Sequence, residues 1–129
     1  MTHYYPLSVD DVLEVHAMIL PSAPVRDEGA LISAVNKPWA SYEGIELYRD
    51  LPAKAAALLI GIARNHAFLD ANKRTAIGSV DYFLALNGFR LAFASDEEVA
   101  DFVEIVAQGQ VEQAFVSAWI TAHMKPLNP

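Results

Sequence analysis

Two long helical patterns joined by a short polar segment constrain the fold of this chain more than any other feature. The first pattern begins at Leu51-Pro52, where proline suits the first turn of a helix. One of its faces carries residues at spacings of four, three and four, namely Ala55, Leu59, Ile62 and His66. The second pattern covers residues 73–87 and ends at Asn87-Gly88, a typical C-terminal signal. The sequence therefore predicts two consecutive helices joined by a turn over residues 67–72.

Weaker patterns on either side predict further helices. Ser8 can cap a helix over residues 9–20, and Asp27 can cap one over residues 28–36, which Pro38 ends. Ser95 can cap an acidic helix over residues 96–107, with Glu98 at the capping-box position, and a last helix covers residues 111–124. Residues 39–50 are predicted to form irregular helix, and residues 89–93 a short strand. Met18, Trp39 and Trp119 are predicted to lie in the core.

The composition agrees with a folded helical protein and excludes several classes of function. Hydrophobic residues make up 53% of the 129 positions, so a core can form, and the absence of cysteine excludes disulfides and thiolate chemistry. The net charge of -7 argues against direct nucleic-acid binding, which needs a basic face. The longest apolar segment, residues 55–63, is too short to cross a membrane, and no signal peptide is visible at the N-terminus. We expect a cytoplasmic protein with no membrane contact.

The segment between the two central helices, NHAFLDANKRT, carries most of the chemistry. Lys73 and Arg74 stand where a helix begins, although the start of a helix carries positive partial charge and favours anions. A bound phosphate would offset both the cations and the dipole, since free N–H groups at a helix start bind phosphate well. Asp70 is a candidate Mg²⁺ ligand, and His66 is a candidate base for an attacking hydroxyl.

Each of these residues also has an ordinary structural interpretation. His66 would serve as a helix cap or as a buried, hydrogen-bonded histidine, and Asp70 or Asn72 would cap the following helix. Lys73 and Arg74 would be solvated surface charges. The combination favours a site, because two cations in a first helical turn bring no structural gain. Phe68 is predicted to point into the core in either case.

The stretch HAFLDANKR, residues 66–74, resembles the HxFx(D/N)(A/G)NKR signature of the Doc (death-on-curing) toxins within the Fic superfamily. The segments PVRDEGALISAV, AKAAALLIGIARNH and FLALNGF are similar to that family too, and the similarity covers residues 7–106. The resemblance implies an all-α Fic/Doc helical bundle, a single domain over residues 1–129 with at most a short β-hairpin or edge strand.

The resemblance also implies an activity. Fic proteins usually carry HPFx(D/E)GNGRxxR and transfer AMP from ATP to a protein hydroxyl. Here Ala71 and Lys73 replace the two glycines of that pattern, and Ile77 replaces its last arginine. A lysine side chain fills room that a nucleotide's phosphates would need, so the Doc-like sequence implies a reversed ATP that presents its γ-phosphoryl group.

By position in the motif, His66 is the expected base, Asp70 the ligand of Mg²⁺, and Lys73 and Arg74 the groups that neutralise charge on the transferred phosphoryl group. Asn72 is expected to donate to the phosphate pocket, which Ala71 also lines. Arg64 and the loop residues Arg26 and Asp27 are weaker candidates for the edge of the site.

The implied function is that of the toxin of a toxin–antitoxin pair, a protein Ser/Thr phosphotransferase that uses ATP and Mg²⁺. The implied target is elongation factor Tu, with arrest of translation, and the implied partner is a Phd-type antitoxin whose disordered tail folds onto the toxin. Two alternatives stay open: Fic-type transfer of AMP to a protein hydroxyl, and a non-catalytic binding module that keeps the fold. The loop Pro21-Ser22-Ala23-Pro24 departs from many relatives, which carry glycines before the second helix, and it would alter target choice if it lines the substrate cleft.

Overall fold

The computed structural model describes residues 3–128, and this part of the chain contains six α-helices. They are α1 Val9–Ile19, α2 Glu28–Asn36, α3 Leu51–Asn65, α4 Asn72–Leu86, α5 Asp96–Ala107 and α6 Gln113–His123. Four short strands pair into two antiparallel ribbons: β1 Ser41–Tyr42 with β2 Ile45–Glu46, and β3 Phe89–Leu91 with β4 Met124–Pro126. The predicted all-α fold is confirmed. That residues 1–129 form one domain stays a prediction.

Helix α3 is the centre of the core, and it contacts α2, α4, α5 and α6. Every residue from Leu51 to Ala63 except Pro52 and Ala53 is buried. Small residues allow the close approach of its neighbours, since a Cβ added to Gly61 would lie 3.1 Å from the backbone of Ala34 on α2. Such a helix, apolar on all sides, needs partners around its whole circumference. The two helices that flank the polar turn are therefore fixed by the core and not by the turn alone.

The predicted starts of α1, α2 and α5 are confirmed by their caps. Ser8 and Asp11 form a reciprocal capping box, and the Asp27 side chain accepts from the N–H of Ala30 at 3.0 Å. The Ser95 hydroxyl accepts from the N–H of Glu98 at 3.1 Å, while the Glu98 carboxylate accepts from the N–H of Ala94. These bonds satisfy N–H groups that a helix leaves without partners at its first turn, so the boundaries follow from local chemistry.

The prediction of irregular helix over residues 39–50 is wrong. A 3₁₀ turn, Lys37–Trp39, is followed by the β1–β2 hairpin, whose two-residue turn Glu43-Gly44 has φ angles of 50° and 80°. Two successive positive φ angles are typical of the tight turns that match strand twist, and glycine adopts them without strain.

The fully buried Lys54 holds this segment against α3. Its ammonium donates to the carbonyl oxygens of Pro38 and Tyr48 at 3.3 and 2.6 Å and to the Glu46 carboxylate at 3.0 Å. It also lies 4.5 Å from the centre of the Trp39 ring. The sequence analysis did not identify Lys54 or its partners, which lie 6 to 16 positions away in the chain, so the hairpin was not predicted.

Three smaller expectations also need correction. The described residues hold two strand ribbons, where the sequence predicted at most one hairpin or edge strand, because β4 pairs with β3 through Leu91 and Met124. Helix α6 starts at Gln113, two residues later than predicted. Met18 is 85% exposed and lies outside the core, whereas Trp39 and Trp119 are partly buried and pack against the core.

No helix within residues 3–128 has the length and apolar character needed to cross a membrane.

Candidate active site

The polar turn between α3 and α4 has an unusual backbone at both ends. His66, which caps the C-terminus of α3, has φ 50° and ψ 45°, and Ala71, which precedes α4, has φ 65° and ψ 24°. Both lie in the left-handed region, which costs a residue with a side chain about 1–2 kcal/mol. Contacts elsewhere must therefore hold residues 66–71 in this shape.

The inner side of the turn is held by Phe68. Its ring is buried and stacks on the ring of His16 from α1, with 3.7 Å between centres. The Nε2 of His16 donates to the carbonyl oxygen of Asp70 at 3.0 Å, and the His16 side chain is itself buried. Phe68 therefore points into the core as predicted, and His16 holds the turn from beneath.

The outer side of the turn is held by the loop before α2. Val25 forms an antiparallel bridge with Phe68, and the N–H groups of Arg26 and Asp27 both donate to the carbonyl oxygen of Ala67, at 2.8 and 3.0 Å. The segment around Pro24 thus borders the turn. The bonds that Arg26 and Asp27 make to the turn come from their backbones, and the Asp27 side chain caps α2.

The start of α4 offers free N–H groups to the cleft. The first bond at the N-terminal end of this helix runs from the N–H of Thr75 to the carbonyl oxygen of Ala71 at 2.9 Å, and the cap residue Ala71 supplies no side-chain acceptor. The N–H groups of Asn72, Lys73 and Arg74 lie ahead of that bond. A helix start left in this state is a favourable place for an anion.

A single open cleft of about 390 Å³ is lined by the motif residues. The side that the sequence predicted consists of His66, Asp70, Ala71, Asn72, Lys73 and Arg74. The opposite side is formed by Glu104, Ala107 and Gln108 of α5. His66, Asp70, Lys73 and Arg74 are all exposed to solvent. The structure therefore brings every predicted site residue together in a place that a ligand can reach, while their individual roles stay predictions.

The hydrogen bonds of Asn72 show which of its donors is available to a phosphate. Its Oδ1 accepts from the N–H of Phe68 at 3.0 Å, and its Nδ2 donates to the carbonyl oxygen of Phe68 at 2.9 Å. The side-chain amide therefore closes the turn on itself. The donor that Asn72 can offer to a phosphate is its backbone N–H at the start of α4.

Asp70 is suited to a cation that is coordinated by few side chains of the protein. Its Oδ1 accepts from the N–H of Ala71 at 2.6 Å, which orients the carboxylate at the edge of the cleft. Among residues 3–128 no group of three or more acidic, histidine or cysteine side chains is arranged to enclose a metal ion. Mg²⁺ is commonly held by one or two carboxylates together with water and substrate phosphate oxygens, so the site fits Mg²⁺ bound with a phosphate ligand.

The sequence did not point to Glu104, which faces Lys73 across the cleft. The Nζ of Lys73 donates to Oε2 of Glu104 at 2.5 Å, and Nε2 of Gln108 donates to its other oxygen at 2.8 Å. These two bonds hold the pKa of Glu104 below its usual value, and the bond from Lys73 has the larger effect. The two ends of the ion pair are 31 positions apart in the chain, so no local pattern could have indicated it.

Arg64 does not line the cleft, contrary to the role considered for it. Its Nε donates to the carbonyl oxygen of Val106 and its Nη2 to that of Val111, both at 2.7 Å. These carbonyls belong to the end of α5 and the segment that follows it. Arg64 therefore anchors the helix that carries Glu104.

A second, mostly apolar groove of about 540 Å³ adjoins the cleft. It lies between α4 and α5, and its apolar walls include Ile77, Phe93, Val99 and Val103. Lys73, Arg74 and Glu104 line both cavities. The Lys73–Glu104 ion pair thus stands between a polar cleft and an apolar groove.

Comparison with known proteins agrees with this geometry. The family model described as the Fic/DOC family matches residues 6–84, which include α1 to α3, the turn and most of α4. The chain is 43% identical over 102 residues to a protein named Toxin Doc from Mycolicibacterium smegmatis, an alignment covering 78% of this chain and 77% of the relative. It is 38% identical over 96 residues to a protein named Protein kinase doc from Escherichia phage P1, covering 74% of this chain and 71% of the relative. The chain belongs to the Fic/DOC family.

Proposed function

We propose that this protein is the toxin of a toxin–antitoxin pair and acts as a protein Ser/Thr phosphotransferase that uses ATP and Mg²⁺ in the cytoplasm. Its relatives are named as a toxin and as a protein kinase, which supports both parts of the proposal. The observation that carries it is the cleft, in which His66, Asp70, two cations and a free helix start face the same space.

The cation-rich end of the cleft would bind the terminal phosphates of ATP. The N–H groups at the start of α4 would bind the phosphate oxygens, with charge from Lys73 and Arg74. The lysine favours phosphoryl transfer over AMP transfer, because its side chain lies in the cleft at a position where Fic proteins have glycine. Phosphoryl transfer depends mainly on positioning and charge neutralisation, and this set of groups supplies both.

His66 would accept the proton of the target hydroxyl. The hydroxyl oxygen forms a bond to the γ-phosphorus, the bond from that phosphorus to the oxygen bridging to the β-phosphate breaks, and ADP leaves. The ring of His66 is exposed at the rim of the cleft, where a protein substrate can approach it. Asp70 would hold Mg²⁺ against the phosphates, and the ion would offset part of their negative charge.

Isotope labelling separates phosphoryl transfer from AMP transfer. The protein is incubated with Mg²⁺ and a bacterial extract, and with ATP labelled on either the γ- or the α-phosphate. We expect a labelled protein band only from the γ-position, and its loss by at least about a hundredfold in His66→Ala. His3→Ala, which changes an exposed histidine outside the cleft, serves as the matched control. A band from the α-position alone would establish AMP transfer, and no band from either would establish a binding module.

The toxin assignment and the target are tested separately from the chemistry. Expression of the wild type in a bacterial host should arrest growth and protein synthesis, and His66→Ala should relieve the arrest. Purified elongation factor Tu is the first candidate for the labelled band. Co-expression of a Phd-type antitoxin should restore growth. Growth arrest that persists in His66→Ala would contradict the proposal that toxicity is enzymatic.

A further inference from the structure

The Lys73–Glu104 ion pair engages one of the two cations of the proposed phosphate site. The two side chains remain 51% and 45% exposed, so the pair is open to solvent and to ligands on the cleft side. Both oxygens of Glu104 are engaged, one by Lys73 and the other by Gln108 one turn further along α5. In the free protein a carboxylate of the chain itself therefore stands where a phosphate oxygen would contact Lys73.

The position of Glu104 is built into the fold. Helix α5 buries Val99, Phe102, Val103 and Val106 against the core. Its last turn is anchored by the bonds from Arg64 to the carbonyl oxygens of Val106 and Val111. Because the helix backbone is fixed at this end, release of Lys73 needs only a rotation of the Glu104 side chain.

Such a rotation would also change the shape of the site. Lys73 and Glu104 line both the polar cleft of about 390 Å³ and the apolar groove of about 540 Å³. While the pair is closed, it forms part of the wall between them. When it opens, a ligand with a charged end and an apolar end can span the two cavities.

We propose that Glu104 is a gating residue that competes with the substrate phosphate for Lys73, and that an anionic ligand displaces it on binding. The naming of this ligand as a nucleoside triphosphate rests on the proposed function, whereas the competition itself rests on the ion pair. An exposed pair of this kind is weak, so a ligand with several negative charges displaces it easily. Removal of the carboxylate should therefore tighten anion binding through Lys73.

The test is the binding of inorganic triphosphate, measured by calorimetry in the absence of protein substrate. We expect Glu104→Gln to bind about three- to tenfold more tightly than the wild type, since a surface ion pair is no longer broken and a like charge is removed. Asp101→Asn removes the same charge one turn away on α5, outside the cleft. It should change the affinity by less than about twofold, because the ion-pair partner of Lys73 is Glu104 and exposed charges without a direct contact interact weakly through water.

A double-mutant comparison shows whether the effect runs through Lys73. In a Lys73→Gln background, Glu104→Gln should give less than about a twofold gain. A gain of the same size in both backgrounds, or a gain equal to that of Asp101→Asn, would overturn the competition and indicate a general charge effect. Thermal melting of each variant should stay within about 2 °C of the wild type, because the side chains of Lys73 and Glu104 are each about half exposed.

The outcome is distinct from that of the labelling experiment. Equal triphosphate affinity in wild type and Glu104→Gln, together with transfer from the γ-position, would overturn the gate and leave the proposed function intact. Tighter binding in Glu104→Gln, with no transfer of label from the α- or the γ-phosphate, would support the gating role of Glu104 and contradict the proposed phosphotransferase activity. Absence of triphosphate binding in every variant would overturn both.

Discussion

Replacing Asn72 by alanine tests whether this side chain holds the turn or contacts the ligand. The two hydrogen bonds that it makes to the backbone of Phe68, at 3.0 and 2.9 Å, would be lost. Each such bond contributes about 1 kcal/mol net, and a buried group left without a partner costs about 1–3 kcal/mol. Phe68 is only 1% exposed, so water has limited access to its backbone. We expect the free energy of unfolding to fall by about 2–4 kcal/mol.

The measurement is urea unfolding followed by circular dichroism, with triphosphate affinity measured on the same samples. Lys73→Ala is the matched control one position away, because it removes only an exposed ion pair and should lower the free energy of unfolding by less than about 1 kcal/mol. It should weaken triphosphate binding nevertheless. The reasoning would be refuted if Asn72→Ala unfolded within about 0.5 kcal/mol of the wild type while its triphosphate affinity fell more than tenfold.

Two further predictions concern contacts outside the cleft. Lys54→Met should lower the free energy of unfolding by about 3 kcal/mol, because it leaves Glu46 and two backbone carbonyls without their buried partner. In the same urea titration, substitution of the exposed Arg49 by methionine should change the free energy of unfolding by less than about 0.5 kcal/mol. The pKa of Glu98 is lowered by hydrogen bonds from His123 and from the N–H of Ala94. The ionised carboxylate therefore stabilises the folded state at pH values above the ordinary glutamate pKa, and this contribution is lost as the pH falls through the lowered pKa. Melting curves between about pH 6 and pH 3 should therefore fall less steeply for Glu98→Gln than for the wild type, while Glu97→Gln should follow the wild type.

The residues that form one side of the cleft were readable from the sequence because they are neighbours in the chain. His66 to Arg74 span a single turn between two strongly periodic segments, and a turn this short cannot separate its residues by much. The helices on either side were equally readable, because caps such as Ser8, Asp27 and Ser95 act on N–H groups within three residues.

The contacts that decide what these residues do were not readable in the same way. Asn72 was expected to donate to the phosphate pocket, and only the structure shows that its side-chain amide binds the backbone of Phe68, which leaves its backbone N–H for that role. The hairpin over residues 41–46 was predicted as helix, because its anchor at Lys54 depends on partners brought together only by folding.

By itself the sequence determined the helices, the capped starts of α1, α2 and α5, and the order of chemical groups along one turn, since all of these follow from interactions a few residues apart. Tertiary structure alone decided that His16 supports the turn, that Arg64 anchors α5, and that Glu104 faces Lys73. These contacts join positions 31 to 54 residues apart. Their partners are chosen by how the helices pack around α3, and local propensity carries no information about that packing.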